Sequence, residues 1–440
     1  MLSFPHVARA MQRVLTEVPT ALARTTGFCQ RRSKLTAACF VEMLVLGWLA
    51  HPSATLHQLS QRARDRGVSI TPQGIAKRFT SEAAELLKAV WEASLTEVIA
   101  SEPVAIEVLT RFPAVVLLDS TTISLPDELR DVWVGCGGRV PQGGQSALKL
   151  SVRLDLCTGS LAAAPSDGRS QDKSSPLQIA PLPTGALRIA DLGYWTLEVL
   201  QATADQGAYV LSRLSLQTVV FGEDGERIDL ERWLTQERRD RCDVAVTLGL
   251  TARVPVRLLV MRVPPLVAEE RRAAIRADAK REGQTPNARK LALAGWTRLV
   301  TNAPDTLIGF EEAEVLARAR WQIELLFKCW KSGGQIDEWR SADPDRILCE
   351  VYAKLTAMII QHWILLTGSW HLPDRSVIKG AHLVRDYAVS LILAFSNRRA
   401  LIAILNTIGR GLATGCRIDP RHRNPNTYQL LTDPISRGLG

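Results

Sequence analysis

Residues 114–125 read "AVVLLDSTTISL". Five apolar residues, two of them β-branched, run into an acid, and three hydroxyl residues follow. Valine and leucine in a short unbroken apolar run suit a strand buried on both faces. Asp119 then stands at the carboxyl end of that strand, where open α/β sheets place their ligands. The same design recurs 72 residues later in "ALRIADLGYW", residues 186–195, where Asp191 closes the apolar run. A single strand-end aspartate is commonly a turn or cap residue. Two delivered by the same pattern point to a shared site in a mixed α/β core.

The chain around these strands divides by pattern. Residues 1–105 read as helical. There "TLHQLSQRARDRG" (55–67) ends on Gly67, and "TPQGIAKRF" opens a new helix with Thr71 as N-cap and Pro72 at its first position. Helix, short turn, helix is compatible with a DNA reader that would offer Gln73, Lys77 and Arg78 to the duplex. Further strand signals follow at 148–159 and in "AYVLSRL" (208–214), with a helix between Asp191 and the latter. Residues 106–214 and 304–372 are assigned to the α/β core. Residues 215–303 form a β-rich insert, with an Asp-Gly turn at 224–225, a charged helical stretch at 268–282 and "GWTRLVTN" near its end. Residues 373–440 read as a helical, basic C-terminal region.

The 440 residues carry 54 Lys and Arg against 45 Asp and Glu, a formal charge of +9. The excess is uneven: 12 basic against 7 acidic residues in 1–100, and 10 against 3 in 375–440. A basic balance suits a polyanionic partner. The N-terminal residues show no apolar signal-peptide core. The apolar stretches at 35–50 and 351–368 are interrupted by Glu42 and Lys354, and a span needs about 20 apolar residues. Both are expected to be buried core helices, with no membrane role. Eight cysteines occur singly, without metal-ligand spacing, which fits reduced thiols in the cytoplasm.

The stretch "LARARWQIELLFKCWKS" (316–332) supplies a third acid. At 100° per residue, Arg320, Lys331 and Glu324 fall at about 0°, 20° and 40° on a helix. Apolar side chains flank this stripe on both sides, so the charges need a partner better than one another. Hard divalent cations prefer carboxylate oxygens. Asp119, Asp191 and Glu324 around Mg2+, with Mn2+ as its substitute, could activate a water or a 3′-hydroxyl against a phosphodiester. Arg320 and Lys331 would hold phosphate, the first by its fork and the second as a point charge.

These residues resemble the DDE transposases of bacterial insertion sequences, and more narrowly the insertion sequence four group. The match lies in Asp119-Ser-Thr, Asp191-Leu-Gly-Tyr and Arg320-x3-Glu324-x6-Lys331. The group's signature, Tyr-x2-Arg-x3-Glu-x6-Lys, is met at three of four positions, and Ala317 stands where the tyrosine belongs. The resemblance implies a ribonuclease-H-like core, with the first Asp on the first strand, the second after the fourth and the Glu on a helix. It implies Mg2+-dependent cleavage at inverted-repeat transposon ends, then joining of the freed 3′-hydroxyl to target DNA by a homodimer. It also implies a hairpin intermediate, with Trp296 stacking on a flipped base, and DNA contacts from Arg213 and Lys149. A cytoplasmic, nucleoid-associated bacterial protein follows. Two rival readings remain: a metal-dependent nuclease without strand joining, and a catalytically weak DNA-binding regulator, to which Ala317 lends some weight.

Overall fold

The computed structural model describes residues 3–31, 34–136, 145–420 and 426–432. The chain folds into two compact units. The first comprises residues 1–105, 120–170 and 322–420, and the second 106–119, 171–321 and 421–440.

The first unit is built on helices Ala37–Ala50 and Pro344–Leu365, both apolar on nearly every side. Thr36 caps the former by accepting from the Cys39 amide at 3.2 Å, and Asp343 caps the latter through the Arg346 amide at 3.1 Å, with Pro344 in the first turn. Every residue from Ile347 to Leu365 is buried. Both interrupting charges are paired, as burial demands. Glu42 accepts from Thr16 at 2.8 Å and from Arg66 at 2.9 Å. Lys354 lies 2.8 Å from Glu350 and donates to the carbonyls of Gln335 (3.0 Å) and Glu338 (2.7 Å). These are core helices, as the composition implied, and among the described residues no helix is long and apolar enough to cross a membrane. The unit also holds the antiparallel hairpin of β2 (Ser146–Asp155) and β3 (Leu161–Asp167).

The second unit is organised on a sheet. β1 (Val115–Leu125) pairs in parallel with β4 (Leu187–Ala190), and β4 in parallel with β5 (Tyr209–Arg213). A parallel pair needs a crossover, and the helix Leu197–Asp205 supplies the one from β4 to β5. β1 contributes residues 115–119 to this unit and 120–125 to the first. The strands run in hydrogen-bonded order β3-β2-β1-β4-β5, followed by the insert. That order, with β1, β4 and β5 parallel, is the ribonuclease-H-like core the resemblance implied.

The insert extends this sheet. β10 (Trp296–Thr301) adds antiparallel to the free edge of β5, followed by β9 (Val254–Arg262), β8 (Arg241–Leu248), β6 (Val220–Phe221) and β7 (Arg227–Ile228). The Asp-Gly turn does join a hairpin, β6 with β7, and Gly225 takes the left-handed φ of +81° that the turn requires. Val210, Leu258, Val260, Trp296 and Val300 share one apolar cluster with Leu200 of the crossover helix.

Candidate active site

Val115, Val116, Leu117 and Leu118 are buried and Asp119 is half-buried, but the strand does not end there. β1 runs on to Leu125 with Thr121, Ile123 and Leu125 buried, so Asp119 lies within the strand and not at its carboxyl end, because the hydroxyl residues after it alternate with apolar ones and continue the pairing. Leu118 of β1 stands opposite Ala190 of β4 in the parallel register. Asp119, inside β1, and Asp191, the first residue after β4, therefore follow matched positions on strands about 4.8 Å apart. The alternative for Asp191 was a turn cap. It does precede the 3-10 turn Leu192–Tyr194, and its carbonyl accepts from the Tyr194 amide at 3.0 Å, but its carboxylate makes no capping hydrogen bond.

The Asp191 turn is braced from beneath. Arg188 of β4 is 4% exposed and donates to the Gln178 side-chain oxygen, while the Gln178 amide donates to the Tyr194 carbonyl at 2.7 Å. Burial pulls the Arg188 pKa down to about 10. Gly193 leaves room for a further acid: a Cβ there would meet the Asp172 carboxylate at 2.4 Å. Asp172 lies in "SQDKSS", a polar loop with no pattern that marks it, and it escaped the sequence reading.

The third segment is less regular than its sequence. Helix Phe310–Ala319 ends at Ala319, Arg320 sits at the joint, helix Trp321–Lys328 follows, and Cys329–Gly333 forms a π turn. The wider π turn breaks the 100° arithmetic before Lys331, so the direction of Lys331 is set by its contacts instead. In the second unit, the Arg320 Nη1 donates to Asp119 Oδ2 at 2.6 Å, with the two side chains 24% and 17% exposed. In the first unit, the Lys331 Nζ donates to the Thr122 carbonyl at 2.8 Å and lies 4.0 Å from Asp337. Both cations thus attach to β1, three residues apart along it. Glu324 is half-buried on the helix whose inner face is Ile323, Leu326 and Phe327. Ala317, half-buried, brings no hydroxyl to this segment.

Asp119 and Asp191 fit a divalent cation both in donor chemistry and in placement on adjacent strands. Among the described residues, no group of three or more His, Cys, Asp or Glu side chains is gathered to hold a metal ion.

The remaining sequence candidates are scattered. Lys149 on β2 donates to the Ser170 carbonyl at 2.9 Å. Arg213 is exposed at the end of β5, opposite Leu299 of β10. Trp296 is only 5% exposed, within the insert's apolar cluster, and the Arg262 guanidinium lies over its ring at 4.2 Å. Thr71 caps its helix as expected, accepting from Gly74, but that helix spans only Pro72–Ala76. Gln73 and Lys77 are exposed, and the Arg78 guanidinium lies 5.8 Å from the Phe28 ring. The basic stretch 416–426 lies partly outside the described residues. Trp321, next to Arg320 in sequence, is 55% exposed.

Residues 110–360 match the family model described as "Transposase DDE domain", more than half of the chain. The chain is 28% identical over 445 residues to the transposase for insertion sequence element IS231C of Bacillus thuringiensis subsp. berliner, covering 93% of this chain and 91% of that protein. It is 24% identical over 458 residues to the transposase for IS231F of subsp. israelensis, covering 97% and 94%. Similarity reaches the transposase for IS1151 of Clostridium perfringens, at 23% identity over 378 residues, 79% of this chain and 77% of that one. With the strand order of a ribonuclease-H-like core and two aspartates that follow register-matched residues of adjacent strands, the chain belongs to the DDE transposase family, whose members catalyse DNA cleavage and strand transfer.

Proposed function

We propose that this chain is a cut-and-paste transposase that frees an insertion sequence at its inverted repeats and joins the 3′-hydroxyl ends to target DNA. The observation that carries the reading is the matched placement of Asp119 and Asp191, with Arg320 against Asp119. Asp119, Asp191 and Glu324 are the proposed ligands of Mg2+, for which Mn2+ substitutes. The cation, when bound, supplies Lewis-acid activation of the attacking oxygen and relief of charge on the leaving one. Arg320 turns its fork from Asp119 to a DNA phosphate, and Lys331 contributes a point charge beside it. Neither step needs a histidine.

Arg213 and Lys149 are proposed strand contacts, and Gln73, Lys77 and Arg78 of the helical region 1–105 are proposed end contacts. The five-residue helix Pro72–Ala76 is short for lying along a groove, so Lys77 and Arg78 serve as phosphate contacts there. A hairpin intermediate with Trp296 as its stacking platform requires Arg262 to leave the indole face. The acting species is proposed to be a homodimer on DNA in a bacterial cytoplasm.

The test is a supercoiled plasmid carrying the element's ends, incubated with protein and Mg2+ and with target DNA. Excision with insertion supports the proposal. Cleavage without insertion would support a nuclease instead. End binding without any nicking would support a regulator, the outcome that Ala317 in place of tyrosine would then explain.

A further inference from the structure

Arginines converge in the segment that follows β9. The Nη1 atoms of Arg271 and Arg298 both approach the Trp296 carbonyl, at 3.5 and 3.4 Å. Arg271 also reaches the Ala294 carbonyl at 3.4 Å and the Thr297 hydroxyl at 3.1 Å, and Arg298 the Leu293 carbonyl at 2.8 Å. Two guanidinium groups therefore meet over one carbonyl oxygen, satisfied by neutral acceptors. The Arg298 Nε is buried and has no hydrogen-bond partner among the described residues. Burial first, and then the charges of Arg271, Arg289 and Arg213, pull Arg298 down to about 10. Arg271 is lowered by burial and by Arg213, and Glu314 is the one acid that opposes this. Other arginines of the helix Pro265–Arg281 are neutralised locally, Arg272 and Arg276 by Glu269 and Arg281 by Asp278. Four arginines set against the single charge of Glu314 leave like charges held together, which costs free energy that a bound anion returns.

We propose that Arg271, Arg289 and Arg298, with Arg213 beside them, form an anion site that grips a backbone phosphate of duplex DNA. Guanidinium forks match phosphate bidentately, and contacts to backbone phosphate carry no sequence information, so the grip is independent of sequence. The inference rests on the DNA-cutting function proposed above and adds to it a hold on DNA outside the carboxylate region. Arg298 is the fixed inner member, positioned by its carbonyl bonds. Arg271 and Arg289 form the outer part.

The test uses the full chain and a labelled 20-base-pair duplex of arbitrary sequence, titrated at several salt concentrations. Replacing both Arg271 and Arg289 by Ala should weaken binding about ten- to hundredfold near 0.1 M salt and reduce the slope of log affinity against log salt by about two. Lysine at both positions should retain most of the slope. Arg289→Glu offers a second variant should the double one not fold, since the helix Ala288–Ala292 buries none of its residues. Melting in inorganic phosphate provides a further arm: phosphate should raise the melting temperature of the unaltered protein and not of the variant. Equal slopes in variant and parent would overturn the site while leaving the proposed function standing. Phosphate protection without any duplex binding by the parent would overturn the proposed function, and DNA as the occupant with it.

Discussion

The Arg320 guanidinium donates to the Asp119 carboxylate at 2.6 Å, so a side-chain cation stands on one acid of the proposed metal site. Under that proposal Arg320 and a metal ion would compete for the Asp119 carboxylate. Arg320→Gln should tighten Mn2+ binding to the DNA-free protein several-fold, measured by isothermal titration. DNA cleavage should nevertheless fall roughly 10²–10³-fold, the usual loss when one charge-stabilising donor is removed. An unchanged Mn2+ affinity would show that the pair does not compete with metal.

Asp191 makes no capping bond with its side chain, which separates its chemistry from its fold. Asp191→Asn should leave the melting temperature within about 1 °C, since surface changes away from a cap stay near ±0.5 kcal/mol. Nicking of end-bearing plasmid should fall by at least about a hundredfold. A large drop in melting temperature would return Asp191 to the role of a structural turn residue.

Acid should destabilise the first unit through His362. Its Nε2–H donates to the Gly159 carbonyl at 2.8 Å, its Nδ1 is buried without a hydrogen-bond partner among the described residues, and burial drives its pKa from 6.5 down to about 4. The folded state thus binds fewer protons than the unfolded one between those values. Stability from this group is fully present above pH 6.5 and is lost as the pH falls toward 4, by about 3 kcal/mol in total. His362→Gln, which can still donate to Gly159, should flatten that segment of a urea-denaturation series run from pH 7 to pH 5.

Gly159 turns β2 into β3 at a φ of +69°, and a Cβ there would lie 2.2 Å from Leu366 and 2.6 Å from the Trp370 ring. The left-handed backbone and the close approach both require glycine. Gly159→Ala should cost on the order of 2–4 kcal/mol, from backbone strain together with overpacking. Denaturant midpoints measure this directly, and a loss under 0.5 kcal/mol would mean that the turn relaxes freely.

Trp296, 5% exposed, packs with Val260, Val300 and Leu258. Trp296→Ala should therefore cost about 3–5 kcal/mol whatever its part in hairpin chemistry. Arg262→Ala uncovers the indole face without emptying the cluster. In that variant, indole fluorescence should become more sensitive to duplexes with an unpaired base, if the ring is a platform. No change in that signal would assign Trp296 to packing alone.

Much of this architecture is local and therefore legible along the chain. Apolar runs ending at Asp119 and Asp191 mark buried strands, Thr71 before Pro72 marks a helix start, and Asp224-Gly225 marks a hairpin. Each depends on neighbours within a few residues, through periodicity, capping or a positive φ. The partners of buried charges were not legible, since Lys354 is satisfied by Glu350 and by the carbonyls of Gln335 and Glu338, which only packing brings near. The break at Arg320 was also hidden. Helical arithmetic assumes an unbroken ladder, and the attachments of Arg320 to Asp119 and of Lys331 to Thr122 reach 201 and 209 residues back along the chain. Composition likewise could not tell that Trp296 faces the core or that Arg271 and Arg298 converge on one carbonyl. The sequence by itself determined which segments become strands and helices and that apolar runs deliver Asp119 and Asp191; that β1 continues six residues beyond Asp119 came from its pairing in the sheet. The register of Leu118 with Ala190, which sets two aspartates side by side, was decided only by the tertiary fold, because pairing between distant strands depends on the packing of the whole sheet.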